Sequence, residues 1–418
     1  MKQGWEKKSL GEICEFGNGL WTGKKPPFLK VGVIRNTNFT KDGKLDDSDI
    51  VYLDVEQSQF LKRKLQYGDI ILEKSGGGPK QPVGRVVIFD KTDGDYSFSN
   101  FTSVIRIKNK NDVDFNFLHR CLFLEYISGA TEKMQSHSTG IRNLKFDEYK
   151  EIKIPLPQLP EQQRIVSILD ETFAAIEKAK SNAEQNLRNA KELFDCVLNS
   201  ILYDKKWEVK ELGQACTKVE YGSSTKSTTE GVLAVLRMGN IQNGSFVWNN
   251  LVYSNNEDDN MQYLLKHNDV LFNRTNSPEL VGKTAIYKSE IPAIFAGYLI
   301  RIHRKEDLLD ADYLNYYLNS KMAFDYGKTV VISSVNQANI NGTKLKTYPI
   351  PLPPLKHQQI IVHQLDALKV ETKKLEAIYQ QKLKDLEELK KSILQKAFAG
   401  KLASGEFTEP KTEKEKSI

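Results

Sequence analysis

Residues 155–170 read PLPQLPEQQRIVSILD, and residues 351–366 read PLPPLKHQQIIVHQLD. The stretches agree at ten of sixteen positions at an offset of 196, where unrelated segments would share about one. Each couples a proline-rich break to the start of a helix. Proline forces its predecessor out of the helical region, and the apolar-periodic run that follows contains neither Gly nor Pro until well past residue 200 or 395.

Working outward, the chain is written twice. Trp5, Glu6, Leu10, Gly11 and Cys14 recur as Trp207, Glu208, Leu212, Gly213 and Cys216, and VIRNTNF (33–39) meets VLRMGNI (235–241). GDIILEKS (68–75) meets NDVLFNRT (268–275), Val83-Gly84-Arg85 meets Val281-Gly282-Lys283, and IRI at 105–107 meets IRI at 300–302. The offset drifts from 202 to 195, so loops differ on a shared scaffold. A repeat of about 200 residues is far above a solenoid period and reads as a tandem duplication with pseudo-two-fold symmetry.

Each repeat begins with a globular part in which β-branched runs such as RVVIF and TSVIRI alternate with Gly, Asn and Asp and with a helix over 114–126. That is a mixed α/β domain. A long helix follows, with apolar positions at steps of three and four. The first seam runs through Ile165, Leu169, Thr172, Ile176, Ala179, Ala183, Leu187, Ala190, Phe194, Val197 and Ile201. The second runs through Ile361, Leu365, Leu368, Thr372, Leu375, Tyr379, Leu383, Leu386, Leu389, Ile393 and Ala397. Both take two consecutive steps of four, at Ala179 to Leu187 and at Leu375 to Leu383, which relaxes a supercoil locally. Some ~40 residues give a rod of ~60 Å, nearly two turns of duplex DNA. Each helix could pack on its own globular part; a seam repeated at matching places instead favours helices packing on each other as an antiparallel coiled coil, a ruler between two globular domains.

At 418 residues, with a net charge of +6 and 27% charged residues, the chain has room for several cores, and any nucleic-acid surface must be a local patch. The opening MKQGWEKKSL lacks the apolar core of a secretion signal, and no run approaches a membrane span. A cytoplasmic location is expected, with four dispersed cysteines, Cys14, Cys121, Cys196 and Cys216, reduced and packed. Chemistry is sparse. No NPPY-like or DPPY-like base-methylation motif, complete Gly-rich cofactor loop or Cys/His metal spacing is present. Val281-Gly282-Lys283-Thr284 resembles the end of a P-loop, but Ser277 stands where glycine is required. No catalytic or metal-ligating residue is assigned.

Base-edge and phosphate contacts need Arg, Lys, Asn, Gln and Ser. These concentrate where the repeats disagree. In the first repeat they are Lys24, Lys25, the lysine-rich run at 62–64, Lys74, Ser75, Lys80 and Gln81 in KSGGGPKQ, and Gln135, Ser136, His137, Ser138, Arg142 and Asn143 in QSHSTGIRN. In the second they are Ser223, Ser224, Thr225 and Lys226; Asn273, Arg274, Thr275 and Asn276; and Ser333, Ser334, Asn336 and Gln337 in SSVNQAN. The glycines at 76–78 suit either a phosphate-cradling turn or a plain turn between strands.

The tryptophan openings, the GDI and NDV strands with a glycine turn downstream, the PLPxLxxQ stretches, the long helices and the AFAGKL ending at 397–402 together resemble the specificity subunit of type I restriction-modification systems. The resemblance covers the chain to Leu402. It departs at Lys356-His357, where the first repeat has Pro160-Glu161. It implies an α+β architecture: target recognition domains at 1–155 and 204–350, long helices at 156–203 and 351–402, and a charged tail at 403–418 whose composition predicts disorder. It further implies double-stranded DNA read in two halves with a nonspecific spacer set by the coiled coil, two methyltransferase subunits docked on the helices, and restriction or motor subunits. S-adenosylmethionine, and ATP with Mg, would be bound by those partners and no cofactor by this chain. The residues alone leave open an interaction scaffold without DNA specificity, a stand-alone regulator, or a self-sufficient enzyme.

Overall fold

The computed structural model describes residues 4–78, 81–138, 141–334 and 337–402. The charged tail 403–418 lies outside the described residues.

Two helices dominate, Leu159–Leu202 and Leu355–Phe398, each of 44 residues and in register at the offset of the proline motifs. By packing, the chain divides into two compact units: residues up to Asn182 together with those from Lys382 onward, and Ala183–Gln381. Each unit therefore combines one recognition domain, the first half of its own long helix and the second half of the other repeat's helix.

In the first unit a four-stranded antiparallel sheet runs Cys14–Asn18, Thr102–Ile107, Ile70–Glu73, Val86–Ile88. Its strand Ile70–Glu73 is buried at every position, as expected for a central strand covered on both faces. A second sheet, Val51–Glu56, Phe28–Ile34, Tyr96–Phe98, lies beside it in order. Helix Phe115–Ile127, capped by Asp114 Oδ1 accepting from Phe117 N at 2.9 Å, presents Phe117, Leu118 and Leu122 to Ile70, Leu72 and Ile105. The same core continues into Ile165, Leu169 and Ile176 of the first long helix and Ile393, Leu394 and Ala397 of the second. These halves run antiparallel: Lys180 pairs with Glu387 at 2.9 Å and Glu177 with Lys390 at 3.5 Å, so numbers rise on one helix as they fall on the other.

The second unit repeats the plan. Strands Cys216–Tyr221, Leu299–Arg304, Val270–Asn273 and Thr284–Ile286 form the matching part of a six-stranded sheet. Helix Ala311–Leu318, capped by Asp310, packs on it. Leu198 and Leu202 join this core with Ile361 and Leu365, while Phe194, Val197 and Ile201 are half-buried against it.

Three readings need correction. Ile105 pairs with Ile70, but Ile302, not Ile300, pairs with the equivalent Val270, so the IRI match is two residues out of register. A slip of two preserves the facing of a strand, which is why the pattern hid it. In the helices, Leu375 and Leu389 are 36% and 46% exposed, Leu187 and Leu383 are only half-buried, and it is Lys390 that is buried at 7% exposure. Of the cysteines, Cys14, Cys121 and Cys216 are buried but Cys196 is exposed. Among the described residues, no helix is long and apolar enough to cross a membrane.

His119 lies buried in the first core, its Nε2 3.2 Å from the Val86 carbonyl. Burial, with Arg120 beside it, lowers its pKa to about 4. The folded chain thus holds it neutral, whereas the unfolded chain takes up a proton near the ordinary value. As pH falls from about 6.5 to about 4, stability should drop by about 3 kcal/mol at this residue, with no further loss below. Urea midpoints measured across that range should fall steeply in the native chain and more gently in His119→Gln.

Candidate nucleic-acid interface

Of the segments singled out as variable loops, those around 75–77 and 135–144 in the first unit, and 275–276 and 332–339 in the second, converge on a small three-stranded sheet, whereas Lys24, Lys25, the run at 62–64 and Ser223 to Lys226 lie outside it. In the first, Gln135–Ser138 pairs with Ile141–Leu144, setting Ser136 opposite Asn143 and His137 opposite Arg142. Ile141–Leu144 in turn pairs with Ser75–Gly77. In the second, Ile332–Ser334 pairs with Gln337–Asn339, which pairs with Thr275–Asn276. His137, Ser138, Ser333 and Ser334 are placed by this pairing; Lys80 and Asn336 lie outside the described residues.

The first sheet is held from beneath by a buried ion pair. Arg85 Nε and Nη2 donate to the two oxygens of Glu73 at 2.8 and 2.9 Å, and Nη1 and Nη2 donate to the carbonyls of Phe39 and Asn36 at 2.8 and 3.0 Å. Asn36 Nδ2 returns to Glu73 at 3.3 Å. Gly76, at φ +94°, packs on that asparagine: a Cβ would lie 3.2 Å from Asn36 Nδ2 and 3.3 Å from the Phe101 ring. The amides of Lys74 and Ser75 donate to the Phe101 carbonyl, and those of Gly78 and Gln81 to each other's carbonyls. Those four amides are committed, which favours the plain turn between strands over a phosphate cradle.

Four residues read as DNA contacts belong to the frame instead. Gln135 is buried, its Nε2 donating to the Val83 and Thr131 carbonyls at 3.1 and 3.2 Å. Ser223 is buried and donates to Asp259. Asn273 is fully buried, with Nδ2 on the Leu280 carbonyl, and Thr275 is buried, with Oγ1 accepting from Asn339 at 2.8 Å. A base edge cannot reach them. On the surface side, Lys24 and Lys25 are exposed, their amides donating to Glu56 at 3.2 Å. Ser136, Gln81, Ser224, Thr225, Lys226 and Gln337 are exposed, while Lys74, Ser75, Arg142, Asn143 and Asn276 are half-buried. Lys74 Nζ donates to Asn18 at 2.9 Å, Ser75 to Asn143, and the Gln81 amide oxygen faces Arg85 Nη2 at 2.7 Å. Arg274 is aimed by stacking on Tyr221, 4.9 Å to the centroid, and by Nε donating to the Gly297 carbonyl at 3.0 Å.

Sequence reasoning missed two features. Phe101 and Tyr298 occupy equivalent places, each accepting through its carbonyl from the strand entering the small sheet, and both rings are exposed. With Trp21, 66% exposed, they offer flat apolar surface of the kind that contacts thymine methyls or stacks on bases. The second is a groove of about 750 Å³ in the second unit, lined by Arg237, Gln242, Asn249, Asn250, Asn276 and Lys283. The turn signals in QNGS and NN mark its rim. Amides and cations on one concave surface suit a nucleic-acid groove.

A family model described as Type I restriction modification DNA specificity domain matches residues 2–185 and again 204–387. Among curated proteins, the type I restriction enzyme EcoKI specificity subunit of Escherichia coli (strain K12) is 28% identical, covering 97% of this chain and 90% of that protein. The StySPI specificity subunit of Salmonella potsdam is 25% identical over the same shares. Among solved structures, an HsdS subunit from Thermoanaerobacter tengcongensis superposes with a TM-score of 0.64 at 20% identity, covering 96% of this chain and 98% of that one. A chain described under complex assembly and conformational transition of the type I R-M system superposes at 0.74 and 20% identity, covering 96% and 99%. At that identity the superpositions speak for the fold alone.

Proposed function

The chain belongs to the family of type I restriction modification DNA specificity domains, carrying two copies of that domain, and from that premise we propose that it is the sequence-reading, non-catalytic subunit of a DNA-modifying complex. One observation carries the reading. Two recognition domains with one frame present the same small sheet with different residues, QSHS against IRN in one and ISS against QAN in the other. A kept frame with changed reading surfaces is what two sensors of unlike sequences require. Each domain reads one half of a two-part site in double-stranded DNA, and the paired helices set the nonspecific spacer. Methyltransferase subunits, two per chain, dock on the helices and use S-adenosylmethionine to methylate adenine; restriction subunits with ATP and Mg act on the same platform. The complex works in the cytoplasm.

Exchanging residues 1–155 for the domain of another family member tests this. The adenine-methylation pattern should change in one half of the site only, each altered base pair weighing about 1–3 kcal/mol. A change in both halves would show that the domains are not independent readers. Deleting four residues within 179–187 should alter the tolerated spacer, and an unaltered spacer would remove the ruler from the account.

A further inference from the structure

Where the helix of each recognition domain, Phe115–Ile127 or Ala311–Leu318 and here termed the recognition helix, meets the long helices, the units use the same three positions with inverted chemistry. In the first unit they hold Arg120, Phe173 and Lys390, a cation–aromatic–cation stack: the Arg120 guanidinium and the Lys390 ammonium each lie 5.2 Å from the Phe173 centroid. The equivalent positions, shifted by the repeat offset, are Tyr316, Lys369 and Phe194. These form an aromatic–cation–aromatic group, with Lys369 Nζ 5.7 Å from the Tyr316 centroid and that ring 5.7 Å from Phe194. The charges at the ion-pair positions invert too. Lys180 and Glu387, paired at 2.9 Å, have Glu376 and Lys191 as counterparts. Glu177, paired with Lys390, has Lys373.

We propose that this inversion is a pairing code, by which each half-helix accepts the half-helix of the unlike repeat and rejects that of a second copy of its own. Two second repeats placed together would set Lys369 and Lys373 against Lys390, and Glu376 against Glu387. Lys390 is buried, and its carboxylates in the native unit are Glu177 and Asp42, the latter 3.7 Å away. Asp42 precedes Gly43, whose counterpart Gly244 is preceded by Asn243, so that turn supplies no replacement anion. Lys390 would then face two more ammonium groups without Glu177 or Asp42, and the nearest carboxylates, Asp366 and Asp312, are those already beside Lys369, a costly arrangement. Two first repeats would oppose Lys180 to Lys191 and strand Glu177, though Phe173 against Phe194 is tolerable. Specificity here comes from repulsion in the wrong pair as much as attraction in the right one. The pairing itself involves no DNA.

A protease site placed at 203–206 in the full chain lets the folded protein be cut into its two repeats. After unfolding in urea and reannealing, native mass spectrometry counts the possible pairs. Second-repeat self-pairs should make up less than about one twentieth of assemblies, against the roughly one quarter that indifferent pairing gives; a share near that quarter overturns the proposal. The recoded chain Lys390→Phe/Glu387→Lys, which gives the second helix the residue types of the first at those positions, should raise second-repeat self-pairs at least about fivefold. A recoded chain that reanneals without such a rise also overturns it. Should cut chains not reanneal, the intact chain decides: Lys180→Glu lowers the melting temperature and added Glu387→Lys restores most of the loss, whereas a double variant melting no higher than the single one refutes the code. Mass and melting are read without DNA, so failure here and failure of the DNA-reading role are separate results.

Discussion

Gln162→Leu should destabilise the first unit by about 3–5 kcal/mol, an unusually large effect for a polar side chain at the start of a helix. The side chain is 0% exposed and saturated. Its Oε1 accepts from Asp114 N at 2.9 Å, and its Nε2 donates to the carbonyls of Asp112 and Pro157, both at 2.8 Å. One amide thus fastens the proline break, the first turn of the long helix and the cap of the recognition helix. Gln358 repeats the arrangement with Asp310 N at 2.8 Å and the Leu308 and Pro353 carbonyls at 2.9 and 2.8 Å. Leucine fills the space but leaves one donor and two acceptors without partners, each worth about 1–3 kcal/mol when buried. The neighbouring Gln163 is exposed, and Gln163→Leu should stay within about 0.5 kcal/mol of the native chain. Equal urea midpoints for the two variants would show that the buried amide does not act as this clamp.

The second large effect is expected at Arg85. Removing the guanidinium in Arg85→Met leaves Glu73 charged and buried, and releases the carbonyls of Asn36 and Phe39 that Arg85 holds. The expected cost is about 3–5 kcal/mol. Because the Ser75–Gly77 strand rests on Asn36, binding to one half of the DNA site should weaken while the other half is still read. The place is taken in the second unit by Lys283 and the neutral Asn273, so no parallel loss is expected there. The double variant Arg85→Met/Glu73→Leu should recover most of the stability, since an apolar pair of similar volume carries no buried charge. Denaturant titration of the three chains checks the first claim. A double variant as unstable as the single one would mean that the loss is of packing and not of charge.

The duplication and the long helices were legible because proline, glutamine and apolar spacing act locally. The segments proposed for readout stood out because two copies of one frame expose their differences. What the pattern could not carry was the partner of each residue. Spacing of three and four marks an apolar face, yet it counted Leu375 and Leu389 as seam while the buried position belongs to Lys390, whose ammonium lies 5.6 and 5.2 Å from the Phe123 and Phe173 centroids. A lysine with a long apolar stem can be buried where its charge finds rings and carboxylates, and that depends on a recognition domain distant in sequence. Gln135 and Asn273 looked like base readers for a similar reason. An amide suits a base edge or a buried carbonyl equally well, and only burial tells which it meets.

The half-helix exchange constrains how the chain comes into being. The N-terminal recognition domain completes its core with Ile393, Leu394 and Ala397, which are synthesised after the whole of the second recognition domain. At roughly 5–20 residues per second, that domain waits some 10–40 s for its final wall. A message truncated before Ile393 would therefore damage the part of the protein that was translated first.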